Sequence, residues 1–350
     1  MKKALTILAM VIMLASCTGK KYKITITFPD GSLNGKTAYL TSYDTGETLD
    51  SALVENAVAV FEGKVKDTYV SRLAVGGKKM SFVVEGGDLL INWAEGKATG
   101  GELNNRYNAV DSLLEAAETE EQAAEIFKKA YTDNRDNGIG PWAFNYYLMY
   151  NNFTAEQVDS LLNEAPASYR ELVRVKKYKD QAKNKDLTAE GKPFTDFAVQ
   201  CFDKKTRRLS DYVGKGEWVI ADFWASWCGP CRREITETLK PLYEKYGEKV
   251  TFLGIAVWDE PEDTFNAIQD LEIPWEVIIG TKKIEEPTNI YGILGIPHLI
   301  LFDPTGKIVS RGLQGEAFVE VVEKNINETV KSNIRRNGTR VVGNGKRNIH

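Results

Sequence analysis

The sequence predicts three architectures in succession: a small all-β domain over residues 20–100, a helical segment over 101–183 and an α/β domain over 186–328. Three observations carry this. Short runs of alternating apolar and polar residues, separated by Gly, Asp and Asn, mark the first region as strands. A rise in Ala, Glu, Leu and Lys with helix-start signals marks the second. Hydrophobic strands alternating with helical stretches mark the third as a central sheet with covering helices.

Taken in order, YKITITF places Tyr22, Ile24, Ile26 and Phe28 on one face and then meets the turn Pro29-Asp30-Gly31, as a half-buried strand does. TAYLTSY, AVAVFEG, YVSRLAV, MSFVVEG and LLINWAE repeat the pattern. This region lacks His and Cys and shows no catalytic constellation. Helix starts are expected at Thr119…Gln122, Thr154…Gln157 and Ser168…Glu171, with Pro166 as a break. The cluster PWAFNYYLMY, Pro141 to Tyr150, reads either as a ligand groove or as an apolar helix face, and packing is the plainer reading. Strands then follow in FTDFAVQCF, EWVIADFWA, VTFLGIAVW, WEVIIG and HLILFD, with helices after the cysteine pair, from Asp263 and over 316–326.

At 350 residues and 43% hydrophobic, the chain is long enough for two domains with separate cores. A formal net charge of -4 supplies no general basic field, which argues against nucleic acid as a partner. The N-terminus MKKALTILAMVIMLASC has two lysines, an apolar run too short for a bilayer-spanning helix, and small residues before Cys17. Residues 1–17 resemble a bacterial lipoprotein signal with its lipobox, which makes Cys17 the expected lipidation site and places the mature protein on a membrane outside the cytoplasm, facing the periplasm. The segment 329–350 carries basic residues and no acidic ones, and reads as a flexible, solvated basic tail in preference to a membrane contact.

Four cysteines occur, Cys17, Cys201, Cys228 and Cys231. With Cys17 consumed, at most one intramolecular disulfide can form, too sparse for a structural framework. In ADFWASWCGPCRRE, Cys228 falls where a hydrophobic strand turns into a helix, so the helix N–H groups and dipole favour its thiolate. Cys228 is then the attacking sulfur on a partner's disulfide, and Cys231, one turn later and more buried, resolves the mixed disulfide. Gly229 and Pro230 start the helix, where a missing N–H costs nothing.

ADFWASWCGPCRRE resembles the active-site segment of thioredoxins, and YGILGIPHLILF, Tyr291 to Phe302, resembles their cis-proline segment. GKPFTDFAVQ and the stretch leading into WCGPC further resemble the membrane-tethered TlpA and ResA type of thiol-disulfide oxidoreductase lipoprotein, which carries an N-terminal β domain of uncertain role. The resemblance implies a thioredoxin-like α/β domain with Cys228 as nucleophile, Cys231 as resolving cysteine, Pro297 as the cis-proline facing the pair, Trp227 covering one side, and Asp222 as a buried carboxylate exchanging a proton with Cys231. It calls for no cofactor and no metal. Two departures stand out. VTFLGIAV lacks the lysine that thioredoxins place beside the buried carboxylate, and His298 follows Pro297 where a small hydroxyl residue is usual. His298 is a candidate pH-sensitive modulator or simply packs beside the sheet.

Other readings of the pair fare worse. Tetrahedral zinc wants four ligands, whereas one CxxC here has only Cys201 and two histidines for company. A structural disulfide closing so small a loop gains little. A thiol peroxidase would carry its cysteine in a Pro- and Thr-containing loop, the place taken here by WCGPC. Cys201 reads as a buried small hydrophobe. The expected function is reduction of disulfides in exported proteins, apocytochrome c among the possible clients by the same resemblance, with electrons from a membrane donor. The alternatives are an oxidant or isomerase, or a tethered partner-binding protein working through its N-terminal region.

Overall fold

The computed structural model describes residues 19–327; the signal segment with Cys17 and the basic tail 329–350 lie outside the described residues. The chain divides after Tyr178 into two compact units.

The first unit begins with eight strands: β1 (Lys20–Thr27), β2 (Thr37–Ser42), β3 (Thr48–Leu53), β4 (Val58–Val65), β5 (Tyr69–Val75), β6 (Lys78–Val84), β7 (Gly87–Asn92) and β8 (Lys97–Thr99). They form two sheets, ordered β4-β1-β7-β8 and β3-β2-β5-β6. Because side chains alternate across a strand, each sheet offers one apolar face. Ile24, Ile26, Phe61 and Ile91 of the first sheet meet Leu40, Leu73, Phe82 and Val84 of the second in one core. β3 escapes a pattern reading because it is an edge strand with exposed Leu49 and Leu53, held by its antiparallel pairing to β2.

Five helices follow: α1 (Glu102–Glu115), α2 (Glu120–Asp133), α3 (Ile139–Asn151), α4 (Ala155–Glu164) and α5 (Val173–Leu187). Thr119 caps α2 by accepting from the Gln122 N–H, and Thr154 with Gln157 forms a reciprocal capping box on α4. The aromatic cluster is α3, and its rings pack: Trp142 lies 4.7 Å from Tyr107 and 5.5 Å from Phe127, and Phe144 lies 4.9 Å from Tyr131. Gly138, at the entry to α3, passes so close to β5 that a Cβ there would stand 2.5 Å from the Tyr69 Cα.

The expected helix start at Ser168…Glu171 is corrected by the structure. Residues Ala167–Glu171 form a 3-10 turn, and α5 begins at Val173. Its first N–H groups are satisfied from a distant loop: the Asp44 carboxylate accepts from Val173 N–H at 2.9 Å and Arg174 N–H at 3.0 Å. No local spacing could reveal a cap 129 residues away.

The second unit centres on a sheet ordered β13-β12-β11-β14-β15, with β11 (Trp218–Trp224), β12 (Val250–Ala256), β13 (Glu276–Ile278), β14 (His298–Phe302) and β15 (Ile308–Arg311). β9 (Ala198–Gln200) and β10 (Thr206–Arg208) form a separate ribbon. β11 pairs parallel with β12 and antiparallel with β14. All seven of its residues are buried, and alternation sends them to two cores. Trp218, Ile220 and Trp224 join the cysteine pair, Leu299 and Leu301 on one face; Val219, Ala221 and Phe223 join Tyr291, Ile300 and Phe302 on the other. Cys201 lies in the second core with its thiol donating to the Val199 carbonyl. A helix over 315–327 adds Phe318 and Val322 to the first core.

Since Asp44 supplies two N-terminal hydrogen bonds to α5, Asp44→Ala is expected to lower the unfolding free energy of this protein by about 1–2 kcal/mol. Ser168→Ala, off the helix start, should change it by less than about 0.5 kcal/mol. Urea denaturation followed by far-ultraviolet circular dichroism measures both.

Candidate active site

The cysteine pair stands where β11 gives way to a long helix, formed by α6 (Gly229–Glu234), a π-helical turn (Ile235–Leu239) and α7 (Lys240–Tyr246). Pro241 accounts for the π turn: a proline inside a helix lacks the N–H for its ladder bond and crowds the preceding turn, and the Lys240 N–H reaches back to Ile235 O instead. Cys228 is the N-cap, with extended backbone at φ -82° and ψ 96°, and Pro230 sits in the first turn. The sulfurs form a disulfide with Cα atoms 5.2 Å apart. The Cys231 N–H donates to Cys228 Sγ at 3.1 Å, so the first sulfur receives one of the helix's unpaired donors. Cys228 retains 4% exposure and Cys231 none, which leaves Cys228 as the one sulfur a partner can reach.

Two loops frame the pair. The Ile296–Pro297 peptide is cis, and the Ile296 carbonyl oxygen lies 3.8 Å from Cys228 Sγ. Pro297 is itself anchored by the Gln314 side-chain amide, which donates to its carbonyl at 3.0 Å. Trp227 is 62% exposed, with its indole N–H donating to the Trp258 carbonyl at 3.1 Å. Beside it, the buried Asp259 carboxylate accepts from the Ser226 N–H at 2.6 Å, Ser226 Oγ at 2.8 Å, Thr264 Oγ1 at 2.9 Å and the Glu260 N–H at 3.1 Å. The two residues before Cys228 are therefore both tied to residues 258–259. Asp259 was not singled out from the sequence; nothing local to the WCGPC motif points to a carboxylate 33 residues downstream.

Asp222 lies in the middle of β11, 2% exposed, on the face that carries Ile220 and Trp224. Its Oδ1 finds no hydrogen-bond partner among the described residues. Burial holds its carboxyl well above the usual carboxylate range, and a second carboxyl, Glu234, pushes the same way. β12 sets the uncharged Gly254 opposite Asp222, and the charged group that acts on it is an acid, Glu234 of α6. Glu234 is buried, three residues after Cys231, and accepts from the Gly315 N–H at 2.9 Å at the start of the helix over 315–327. The signal that would have found it is that three-residue spacing, one helical turn from Cys231 on the same face.

The structure does not bring His298 to the sulfurs. Its ring lies 6.4 Å from Phe223, on the face of the sheet opposite the cysteine helix. Its Nε2 is 3.4 Å from an Arg311 Nη, which can only donate, so the nitrogen there accepts and the ring is neutral. Burial, then Arg311 and Lys185, lower its pKa to about 3. Arg311 is in turn held by the carbonyls of Thr188 and Tyr291. A histidine with a depressed folded pKa contributes stability that is present above its ordinary value and is lost as pH falls towards about 3. Among the described residues no group of three or more His, Cys, Asp or Glu side chains is placed to hold a metal, and no helix is long and apolar enough to cross a membrane.

The sign for Asp222 runs the other way. Its folded pKa is raised, so above the ordinary carboxylate value the unfolded chain ionises while the folded one resists, and stability falls as pH climbs towards the folded pKa. Asp222→Asn should therefore stabilise the oxidised protein at pH 8, on the order of 1–3 kcal/mol, and by much less near pH 4. Denaturant midpoints across that pH range measure the difference.

The profile of the AhpC/TSA family matches residues 191–311, and that of a domain of unknown function, DUF4369, matches residues 22–107. Thiol-disulfide oxidoreductase ResA of Geobacillus thermodenitrificans (strain NG80-2) is 30% identical over 126 residues, which cover 35% of this chain and 69% of that protein. The protein of the same name from Bacillus cereus (strain ZK / E33L) is 33% identical over 143 residues, covering 40% and 78%. Among solved structures, the thioredoxin domain of a thiol-disulfide oxidoreductase from Bacteroides vulgatus is 31% identical, with a TM-score of 0.35, covering 39% of this chain and 96% of that one. Through its second unit, with a cysteine pair at the head of a helix beside a cis-proline, this chain belongs to the ResA family of thiol-disulfide oxidoreductases.

Proposed function

We propose that the chain reduces disulfides in exported proteins through Cys228 and Cys231. The observation that carries this reading is the Cys231 N–H donating to Cys228 Sγ at the head of the helix, because that donor favours the thiolate needed for attack. In the reduced enzyme the Cys228 thiolate attacks one sulfur of a client disulfide; an enzyme–client bond forms and the other client sulfur leaves as a thiolate. Cys231 then loses its proton and attacks Cys228 Sγ. The client's second sulfur is released, and the enzyme holds the two-electron oxidised disulfide. Asp222 takes the Cys231 proton from its ionised form, directly or through water, and the raised pKa that burial gives it makes that carboxylate a stronger base than an exposed one.

The frame around the sulfurs supports an extended client. The Ile296 carbonyl stands beside Cys228 as an acceptor for a client backbone N–H, and the exposed Trp227 ring offers an apolar wall. The acids bear on direction. Glu234, one turn from Cys231, opposes negative charge there, and the burial that disfavours an Asp222 anion on the same sheet face disfavours a thiolate as well, while Arg232 faces Asp270 at 4.0 Å and Arg233 is exposed. Disfavouring a Cys231 thiolate destabilises the reduced pair, which makes the pair a better electron donor. Once oxidised, it needs electrons from a membrane donor. Cys17 as lipid anchor places this exchange outside the cytoplasm, with the periplasm as the compartment and apocytochrome c among the clients it would meet.

Equilibration in graded dithiol buffers with counting of alkylated thiols tests the direction. A potential of about -250 mV or lower is expected, and one near about -120 mV overturns the reductase reading. Cys231→Ser should accumulate mixed disulfides with exported proteins, whereas Cys228→Ser should form none. Cys17→Ser should move the protein from the membrane fraction to the soluble one.

A further inference from the structure

The first unit contains a cavity of about 450 Å3, and none of its lining residues belongs to the cysteine site. Its walls are mostly apolar: Leu49 on β3, Val70 on β5, Trp142 on α3, and Leu172 and Val175 around the start of α5. That volume lies within the range of small-molecule sites, roughly 300–1,000 Å3. Polar groups interrupt the apolar lining, and two of them, Arg174 and Asn145, have hydrogen-bonding capacity to offer.

The first is Arg174. Its Nε donates to the Tyr43 carbonyl, and its guanidinium carbon lies 4.4 Å from the Tyr43 ring centroid. Stacking on a buried ring holds the guanidinium in one orientation. Among the described residues nothing accepts from its two terminal nitrogens, and it makes no ion pair. The other charged lining residue, Asp44, has both oxygens engaged by the Val173 and Arg174 backbone N–H groups and makes no ion pair with the guanidinium. The second is Asn145, 3% exposed and lining the same cavity. Its amide nitrogen has only the Met149 sulfur, at 3.6 Å, and its amide oxygen has no partner among the described residues. Because Asn145 lines the cavity, this amide keeps hydrogen-bonding capacity for a ligand.

We infer that this cavity binds a small hydrophobic carboxylic acid, its carboxylate on the oriented Arg174 fork and its apolar body among Leu49, Trp142 and Leu172, with Asn145 offered to a polar atom of the ligand. A single planar guanidinium with no second free cation suits a carboxylate monoanion, which it meets through two parallel N–H donors. A phosphate dianion would call for more donors than the lining offers. The site is independent of the thiol chemistry, and its failure leaves the redox reading untouched.

Calorimetric titration of the purified full chain with 4-phenylbutanoate, and with 4-phenylbutanol as the neutral comparator, tests it. The acid is expected to bind saturably and at least about tenfold more tightly than the alcohol, in line with a charge-assisted hydrogen bond. Arg174→Gln should abolish that preference. Leu49→Trp, at an exposed position on an edge strand, should block binding without affecting the fold. The absence of saturable heat, equal affinity for acid and alcohol, or wild-type binding by Leu49→Trp overturns the proposal. The acid-against-alcohol comparison needs no variant, so it decides the matter even if Arg174→Gln fails to fold.

Discussion

The second unit depends on a strand buried on both faces. β11 lies between a parallel and an antiparallel neighbour, with no residue open to solvent, and its seven side chains are shared between two cores. Every inward residue on one face packs towards the cysteine helix, and every one on the other towards Tyr291 and Phe302. A slip of one residue would exchange the two sets, taking Asp222 away from the cysteine helix and putting Phe223 in its place. The register of one strand thus decides which side chains the disulfide sees.

That register also explains the fates of the two polar residues flagged near the motif. Asp222 and His298 stand in adjacent strands, yet Asp222 pairs with Leu299, one position away from His298. The period of two therefore sends them to opposite faces. Asp222 meets Glu234 and the helix of the pair; His298 meets Phe223 and Arg311. Both are held in their uncharged forms by burial, each reinforced by a neighbour of the same sign as the charge it would otherwise carry.

How much of this was legible follows from the range of each signal. Strands with apolar alternation, such as YKITITF and YVSRLAV, announce themselves, as does the buried run before the cysteines. Thr119 and Thr154 cap where their spacing says they should, because a capping box is local. Ser168 carries a similar spacing but lies in a 3-10 turn, and the helix that follows takes its cap from Asp44 across the unit. β3 was hidden since an edge strand needs few buried residues of its own. At the site, the cysteines, Pro297 and Trp227 come from contiguous motifs. Glu234 ends the same motif yet is singled out only by its burial and its distant partner Gly315, and Asp259 lies outside the motifs altogether, tied to Ser226 across 33 residues.

Two buried aspartates close to the pair show why burial alone does not define a carboxylate. Asp259 is 6% exposed and Asp222 2%, nearly the same. Four donors converge on Asp259, two of them from Ser226, and an anion is the form that accepts four hydrogen bonds at once. It therefore serves as a fixed negative anchor that ties down the loop leading into Cys228. Asp222 has an oxygen with no donor and an acid for a neighbour, so the proton itself supplies the stabilisation that hydrogen bonds supply at Asp259. One acid is committed to geometry because its charge is satisfied. The other retains a proton it can exchange, because its charge is not.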